Sequence, residues 1–180
     1  YLFAGTYTIF DSISVPNNTT LAGAGSGTVI TFPNGYSLDK SVIVNTDTTT
    51  GTGMTIRDLK IDGNNANIAI GNGNGIYLTG VGSDVSGSVR PGATITNVTI
   101  DKLRSGASLA STIALDNTFN TTVTDSTLGS GNIYIHGGHN TVSDNYIFDS
   151  AQVGIYLDSA SNNTVTDNIV QGAQMWGIYL

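Results

Sequence analysis

Tyrosine, histidine and aspartate recur at fixed offsets in a series of short, similar segments. Each segment is anchored by an isoleucine: Ile76, Ile113, Ile133, Ile155 or Ile178. One residue after it stand Tyr77, Ala114, Tyr134, Tyr156 and Tyr179; three after it stand Thr79, Asp116, His136 and Asp158. If the segments are stacked strands, these are the outward positions, because alternate residues of a strand face opposite sides. Asp116, His136 and Asp158 then form one row along the stack and Tyr134, Tyr156 and Tyr179 another, with neighbours about 4.8 Å apart. A histidine between two carboxylates has its charged form favoured and can act as acid or base. Tyr134 or Tyr156 beside it can give or take a second proton. The same surface has two readings without chemistry. Tyr77, Tyr134, Tyr156 and Tyr179 can stack on sugar rings, since tyrosine has an apolar face and a polar tip. They can also simply pack across strands as an aromatic ladder.

Other polar groups offer less. Asp144, Asp149 and Asp167 fall on a different side and could meet Ca²⁺ with backbone carbonyls, although a solvated face explains them as well. Asp62-Gly63-Asn64-Asn65 lacks EF-hand spacing and reads as a turn. His136 and His139 have no cysteine to complete a zinc site. No metal ligand is therefore assigned, no cofactor is required, and Ca²⁺ is the one ion left open. Asn17, Asn18, Asn97, Asn120 and Asn162 each begin an N-x-T sequon, which a threonine-rich chain produces by chance. Met175 and Trp176 precede the last segment and read as corner fillers.

The elements that would position the row are a repeat. Apolar pairs five residues apart recur at Ile56/Ile61, Ile95/Ile100, Val123/Leu128, Val142/Ile147 and Val165/Val170. They alternate with the GIYL-like segments, whose isoleucines at 113, 133, 155 and 178 advance by 20, 22 and 23 residues. That step suits one turn of a β-solenoid, and the leucine-rich consensus with its helical half is missing. One turn cannot bury its apolar side alone, whereas stacked turns make continuous sheets around stacked apolar columns. Ile113, Ile133, Ile155 and Ile178 are expected to form one inward column. Asn145 and Asn168, with Ser126 in the same place, sit three residues after the first apolar residue of their pairs. They are expected to hydrogen-bond along the axis as a side-chain ladder. The stretches Asp62–Asn74 and Thr79–Thr94 break the rhythm and read as outer loops.

Composition agrees with a strand-and-turn protein. The chain has 180 residues, with 23 Gly, 3 Pro, no Cys and only 11% charged residues. Serine, threonine and asparagine dominate its polar positions, which favours strands and tight turns. Net charge is −7, with six basic residues, Lys40, Arg57, Lys60, Arg90, Lys102 and Arg104, scattered along the chain. Nucleic acid is excluded as a partner because no clustered basic face exists. The same shortage argues against gripping an acidic polymer by direct ion pairs and leaves neutral and calcium-bridged glycans. No apolar run approaches the roughly 18 residues that span a bilayer. The chain begins at Tyr1, without Met, in a stretch that reads as strand, and Leu180 falls inside a copy of the strand motif. Residues 1–180 are expected to form a single β-helix domain belonging to a longer chain or to a stacked assembly, with end-to-end self-association as one way to cover the terminal turns.

Tyr1–Ile9, YLFAGTYTI, followed by Val15–Gly25, VPNNTTLAGAG, resembles the opening turns of the pectate-lyase-like β-helix superfamily. Met54–Gly63, MTIRDLKIDG, resembles the next turn, and the NTVSDN and NNTVTDN stretches resemble the generic parallel β-helix repeat. The resemblance implies an all-β, right-handed, single-stranded parallel β-helix. It also implies a polysaccharide or cell-surface glycan as partner and an extracellular or cell-surface location. Some alginate epimerases and lyases of the superfamily use Tyr, His and Asp groups. The polygalacturonase-type motifs are missing apart from a faint trace at Gly138-His139-Asn140, and the acidic ligands and nearby base of pectate lyases have no clear counterpart, with Lys102 and Arg104 outside the GIYL column. Two functions follow. One is a non-catalytic extracellular module, structural, adhesive or glycan-facing. The other is a polysaccharide-active lyase, hydrolase or epimerase working through His136, Asp116, Asp158, Tyr134 and Tyr156.

Overall fold

A computed structural model describes residues 1–36, 40–66, 73–82, 90–103 and 111–180. Arg104 lies outside the described residues, as does part of each expected loop, 62–74 and 79–94. Every strand pairing in the described residues is parallel. One sheet has seven strands: β2 (Ile13–Val15), β5 (Ile43–Asn45), β7 (Ile76–Thr79), β9 (Ile113–Phe119), β12 (Ile133–Gly138), β15 (Val153–Leu157) and β18 (Trp176–Tyr179). The rest of the coil comprises β1 (Gly5–Thr8), β3 (Thr20–Ala22), β4 (Thr28–Thr31), β6 (Thr55–Asp62), β8 (Thr94–Asp101), β10 (Thr122–Thr124), β11 (Thr127–Gly129), β13 (Thr141–Ser143), β14 (Tyr146–Phe148), β16 (Thr164–Thr166) and β17 (Ile169–Gln171). The chain is a parallel β-helix, each late turn contributing one strand to each of three sides.

The five-residue apolar spacing has a simple origin. Asp58, Asn97, Asp125, Asp144 and Asp167 adopt φ between 51° and 57°. Their short polar side chains tolerate this left-handed conformation better than most. The bend turns the chain from one side to the next, so Val123 and Leu128 both point inward across it. Val123 pairs with Ile95 and Val142, and Leu128 with Ile100 and Ile147, making two unbroken columns of buried side chains.

The third side is the one anticipated from the GIYL segments. Ile76, Ile113, Ile133, Ile155 and Ile178 are successive register partners, and the first four are fully buried. Ile178, in the last strand, is 48% exposed. At about 25 cal/mol per Å² of apolar surface, each fully buried isoleucine stabilises the fold by roughly 1.5–3 kcal/mol.

The asparagine ladder is present. Asn145 N–H donates to Asn168 Oδ1 at 3.0 Å, Ser126 N–H to Asn145 Oδ1 at 3.1 Å, and Val98 N–H to Ser126 Oγ at 3.3 Å. A second ladder, not anticipated, runs beside it. Asn140 N–H donates to Asn163 Oδ1 at 2.8 Å, Thr121 N–H to Asn140 Oδ1 at 3.0 Å, and Ala93 N–H to Thr121 Oγ1 at 3.1 Å. Both supply acceptors to backbone amides that the bends remove from the sheets.

Two local expectations change. Tyr1–Ala4 precede the first strand, which starts at Gly5, and Tyr1 and Phe3 are exposed. Trp176 lies within β18 rather than in a corner, and its ring meets Tyr179 with centroids 4.9 Å apart.

Candidate functional site

The outer face of the seven-stranded sheet carries the tyrosine row. Tyr77 pairs with Ala114, Ala114 with Tyr134, Tyr134 with Tyr156, and Tyr156 with Tyr179. The rings of Tyr134 and Tyr156 meet edge to face at 5.6 Å and 68°, and those of Tyr156 and Tyr179 at 5.3 Å and 64°. This is the expected ladder, built by strand alternation and held by edge-to-face ring contacts.

The second row is Thr79, Asp116 and His136, paired in that order. Asp158 follows Leu157, the partner of Ile135, and its N–H donates to Ile135 O at 2.9 Å. His136 Nδ1 lies 2.9 Å from Asp116 Oδ1. With the carboxylate as acceptor, Nδ1 carries the hydrogen and Nε2 is the lone-pair nitrogen of the neutral ring. The two carboxylates around His136 play different parts. Asp116 holds the imidazole, whereas Asp158 receives the Tyr134 hydroxyl on Oδ2 at 2.9 Å.

A cross-turn motif emerges. Tyr77 O–H donates to Asp116 Oδ2 at 3.0 Å, repeating the Tyr134–Asp158 bond two turns earlier. In both cases a tyrosine reaches the aspartate of the next turn, two places further along the strand. Burial, reinforced by the Asp158 carboxylate, pushes the Tyr134 phenol up to about 12, and burial followed by Asp116 pushes the Tyr77 phenol upward too. Near neutral pH both phenols are hydrogen-bond donors rather than bases.

Between Tyr77 and Tyr134 the ladder is interrupted by Ala114, and a cleft of about 370 Å³ opens there. Asp116, Asp158 and Tyr156 also line it, with Asn74 and Ser111 at its rim. Asn74 Oδ1 accepts the Ser111 N–H at 2.8 Å. These two rim residues were not singled out from sequence. Their signal is their shared offset, each two residues ahead of the strand's isoleucine. His136 is not among the lining residues; it pairs with Asp116 from the strand that carries Tyr134. Tyr179 belongs to the same row but lies beyond the cleft.

Among the described residues, no group of three or more His, Cys, Asp or Glu is arranged to hold a metal ion. Asp144 and Asp167 occupy equivalent bends of successive turns, while Asp149 sits at the next corner, so the three do not converge. No helix of the described residues is long and apolar enough to cross a membrane.

Comparison with known proteins agrees with this architecture. No curated protein sequence matches the chain. Among solved structures it is similar to the Azotobacter vinelandii mannuronan C-5 epimerase AlgE4 A-module, with TM-score 0.77 and 21% identity over 99% of this chain and 50% of that one. It is also similar to the AlgE6 A-module of the same organism, with TM-score 0.67 and 21% identity over 96% of this chain and 49% of the other. The chain thus spans about half the length of these structures. Residues 40–180 match the family described as right handed beta helix region. With its parallel coils, stacked isoleucine columns and polar ladders, the chain belongs to that right-handed β-helix family.

Proposed function

We propose that this chain is a non-catalytic, glycan-facing β-helix module that works at the cell surface or outside the cell. The observation that carries the reading is the cleft over Ala114, walled by Tyr77 and Tyr134 and edged by Asp116 and Asp158. Aromatic rings supply faces on which sugar C–H groups pack, and carboxylates accept hydroxyl hydrogen bonds. The tyrosines bring little ordering cost, because hydrogen bonds to the aspartates already fix Tyr77 and Tyr134. Preorganisation of this kind leaves more of the contact energy for affinity. Similarity to A-modules named for acting on mannuronan also supports a polysaccharide partner.

A second reading is favoured by one specific contact, the His136–Asp116 pair. A carboxylate that fixes the imidazole tautomer leaves Nε2 to accept a proton, the usual arrangement of a general base. In a polysaccharide-active enzyme, His136 would accept the proton, Asp116 would position it, and Tyr134 would donate.

A glycan array probed with wild type and Tyr156→Ala separates these possibilities from a structural ladder. Retention of at least one glycan by wild type and its loss in the folded variant is the expected result. Retention of no glycan removes the binding reading. Turnover of an array hit, followed by NMR and abolished in His136→Ala, replaces the non-catalytic reading with the enzymatic one.

A further inference from the structure

We infer that the gap over Ala114 is a subsite for a single neutral pyranose ring and that uronate rings are excluded from it. This rests on the glycan-facing reading above and adds the class of sugar and the residue that makes room for it.

The outward row reads Tyr77, Ala114, Tyr134, Tyr156, Tyr179. Where tyrosines are adjacent their rings touch, at 5.6 and 5.3 Å between centroids. Tyr77 and Tyr134 are two steps apart, about 9.6 Å at the spacing of parallel strands. A ring packed on an aromatic face lies about 3.5–4 Å from it, so one ring held between two faces needs about 7–8 Å. The gap therefore fits one sugar ring and not two. Ala114, 4% exposed, lies at its base beneath the flanking side chains, and a larger side chain at that place would push into the cleft.

Charge selects the sugar. Asp116 and Asp158 are the charged groups among the described residues that line the cleft, and no lysine or arginine joins them there. Three basic side chains are engaged in ion pairs away from the cleft: Lys40 with Asp11, Arg57 with Asp58 and Lys102 with Asp62. Among the described residues that line the cleft, a uronate would meet two carboxylates and no cation, while a neutral ring brings hydroxyl donors to them. The two aspartates differ as acceptors. Asp116 already receives Tyr77 on one oxygen and His136 on the other. Asp158 receives Tyr134 on Oδ2, and among the described residues its Oδ1 accepts only a 3.3 Å bond from Ser159 Oγ. Asp158 Oδ1 is thus the acceptor for the bound ring.

The test measures affinity by calorimetry for gluco-, manno- and galacto-configured neutral hexasaccharides and for a mannuronate hexasaccharide, with and without Ca²⁺. The proteins are wild type, Ala114→Tyr and Ala114→Val. Wild type should bind at least one neutral oligosaccharide and not the mannuronate. Ala114→Tyr should bind it about tenfold or more weakly, the scale of losing a central anchor, while its melting temperature holds or rises. Ala114→Val, a smaller plug with good strand propensity, should weaken binding in the same direction and carries the test if the tyrosine variant does not fold. Unchanged neutral-sugar affinity in a folded variant overturns the subsite. Mannuronate binding as tight as neutral binding, with or without Ca²⁺, overturns the charge selection but leaves the glycan-facing reading standing. Binding of none of the sugars by wild type overturns both.

Discussion

Replacing Asn145 with alanine is the sharpest probe of what holds the turns in register. Asn145 is 2% exposed, and its side chain works in both directions along the axis. Oδ1 accepts the Ser126 amide at 3.1 Å, while the two Nδ2 hydrogens are shared among Val123 O at 3.0 Å, Ser143 O at 2.8 Å and Asn168 Oδ1 at 2.9 Å. Alanine removes all of these and leaves the buried Ser126 N–H without its acceptor. An orphaned buried group costs about 1–3 kcal/mol, and each lost hydrogen bond about 0.5–1.5 kcal/mol net, with some overlap between them. Asn145→Ala should therefore destabilise by about 3 kcal/mol. Serine is the informative control, because Ser126 fills the equivalent place one turn earlier, accepting Val98 N–H and donating to Thr124 O at 2.8 Å. Asn145→Ser should cost about half as much as alanine, since one acceptor and one donor survive. Urea unfolding followed by far-UV circular dichroism gives the energies, and amide hydrogen exchange should accelerate at Ser126. A loss below about 1 kcal/mol in the alanine variant, or serine as damaging as alanine, would refute the ladder as a source of stability.

Two further outcomes follow from the outer surface. Ultraviolet titration should show one of the eight tyrosines resisting ionisation to about 12, and Asp158→Asn should bring it part of the way back while burial still holds it up. Because the folded-state value is raised, the associated stability is full below the unfolded-state value near 10 and is lost as pH rises through about 12; eight tyrosines ionising together would contradict the Tyr134–Asp158 bond. Asp125, Asp144 and Asp167 stack at successive left-handed bends about 4.8 Å apart. Asn tolerates the same conformation, so Asp144→Asn should stabilise by about 0.5 kcal/mol at low salt, with the gain fading near 1 M salt; thermal melts at two salt concentrations check this, and a destabilised variant would refute like-charge strain.

The sequence by itself determined the coil. Strand alternation is a backbone property with a period of two, so the offsets from each isoleucine already assigned Tyr134 and Tyr156 to one outer row and Asp116 and His136 to another. The five-residue spacing from Val123 to Leu128, with a left-handed-tolerant residue between, likewise encoded the bend and the place of Asn145. Local patterning did not distinguish the partners of side chains that come from different turns. His136 looked equally close to Asp116 and Asp158, but rotamers across turns bind it to Asp116 and turn Asp158 toward Tyr134. The second ladder at Thr121, Asn140 and Asn163 has an offset as regular as the first, two residues ahead of Val123, Val142 and Val165, but which amides those side chains meet is set only by the stacking of the turns. Ala114 was legible as an outward residue, yet a small side chain becomes a cleft only when Tyr77 and Tyr134, 37 residues before and 20 after it, are brought to either side. Direction along a strand is set locally by the pleat, whereas gaps and hydrogen-bond partners are set by which turns lie next to each other, and only the folded solenoid decides that.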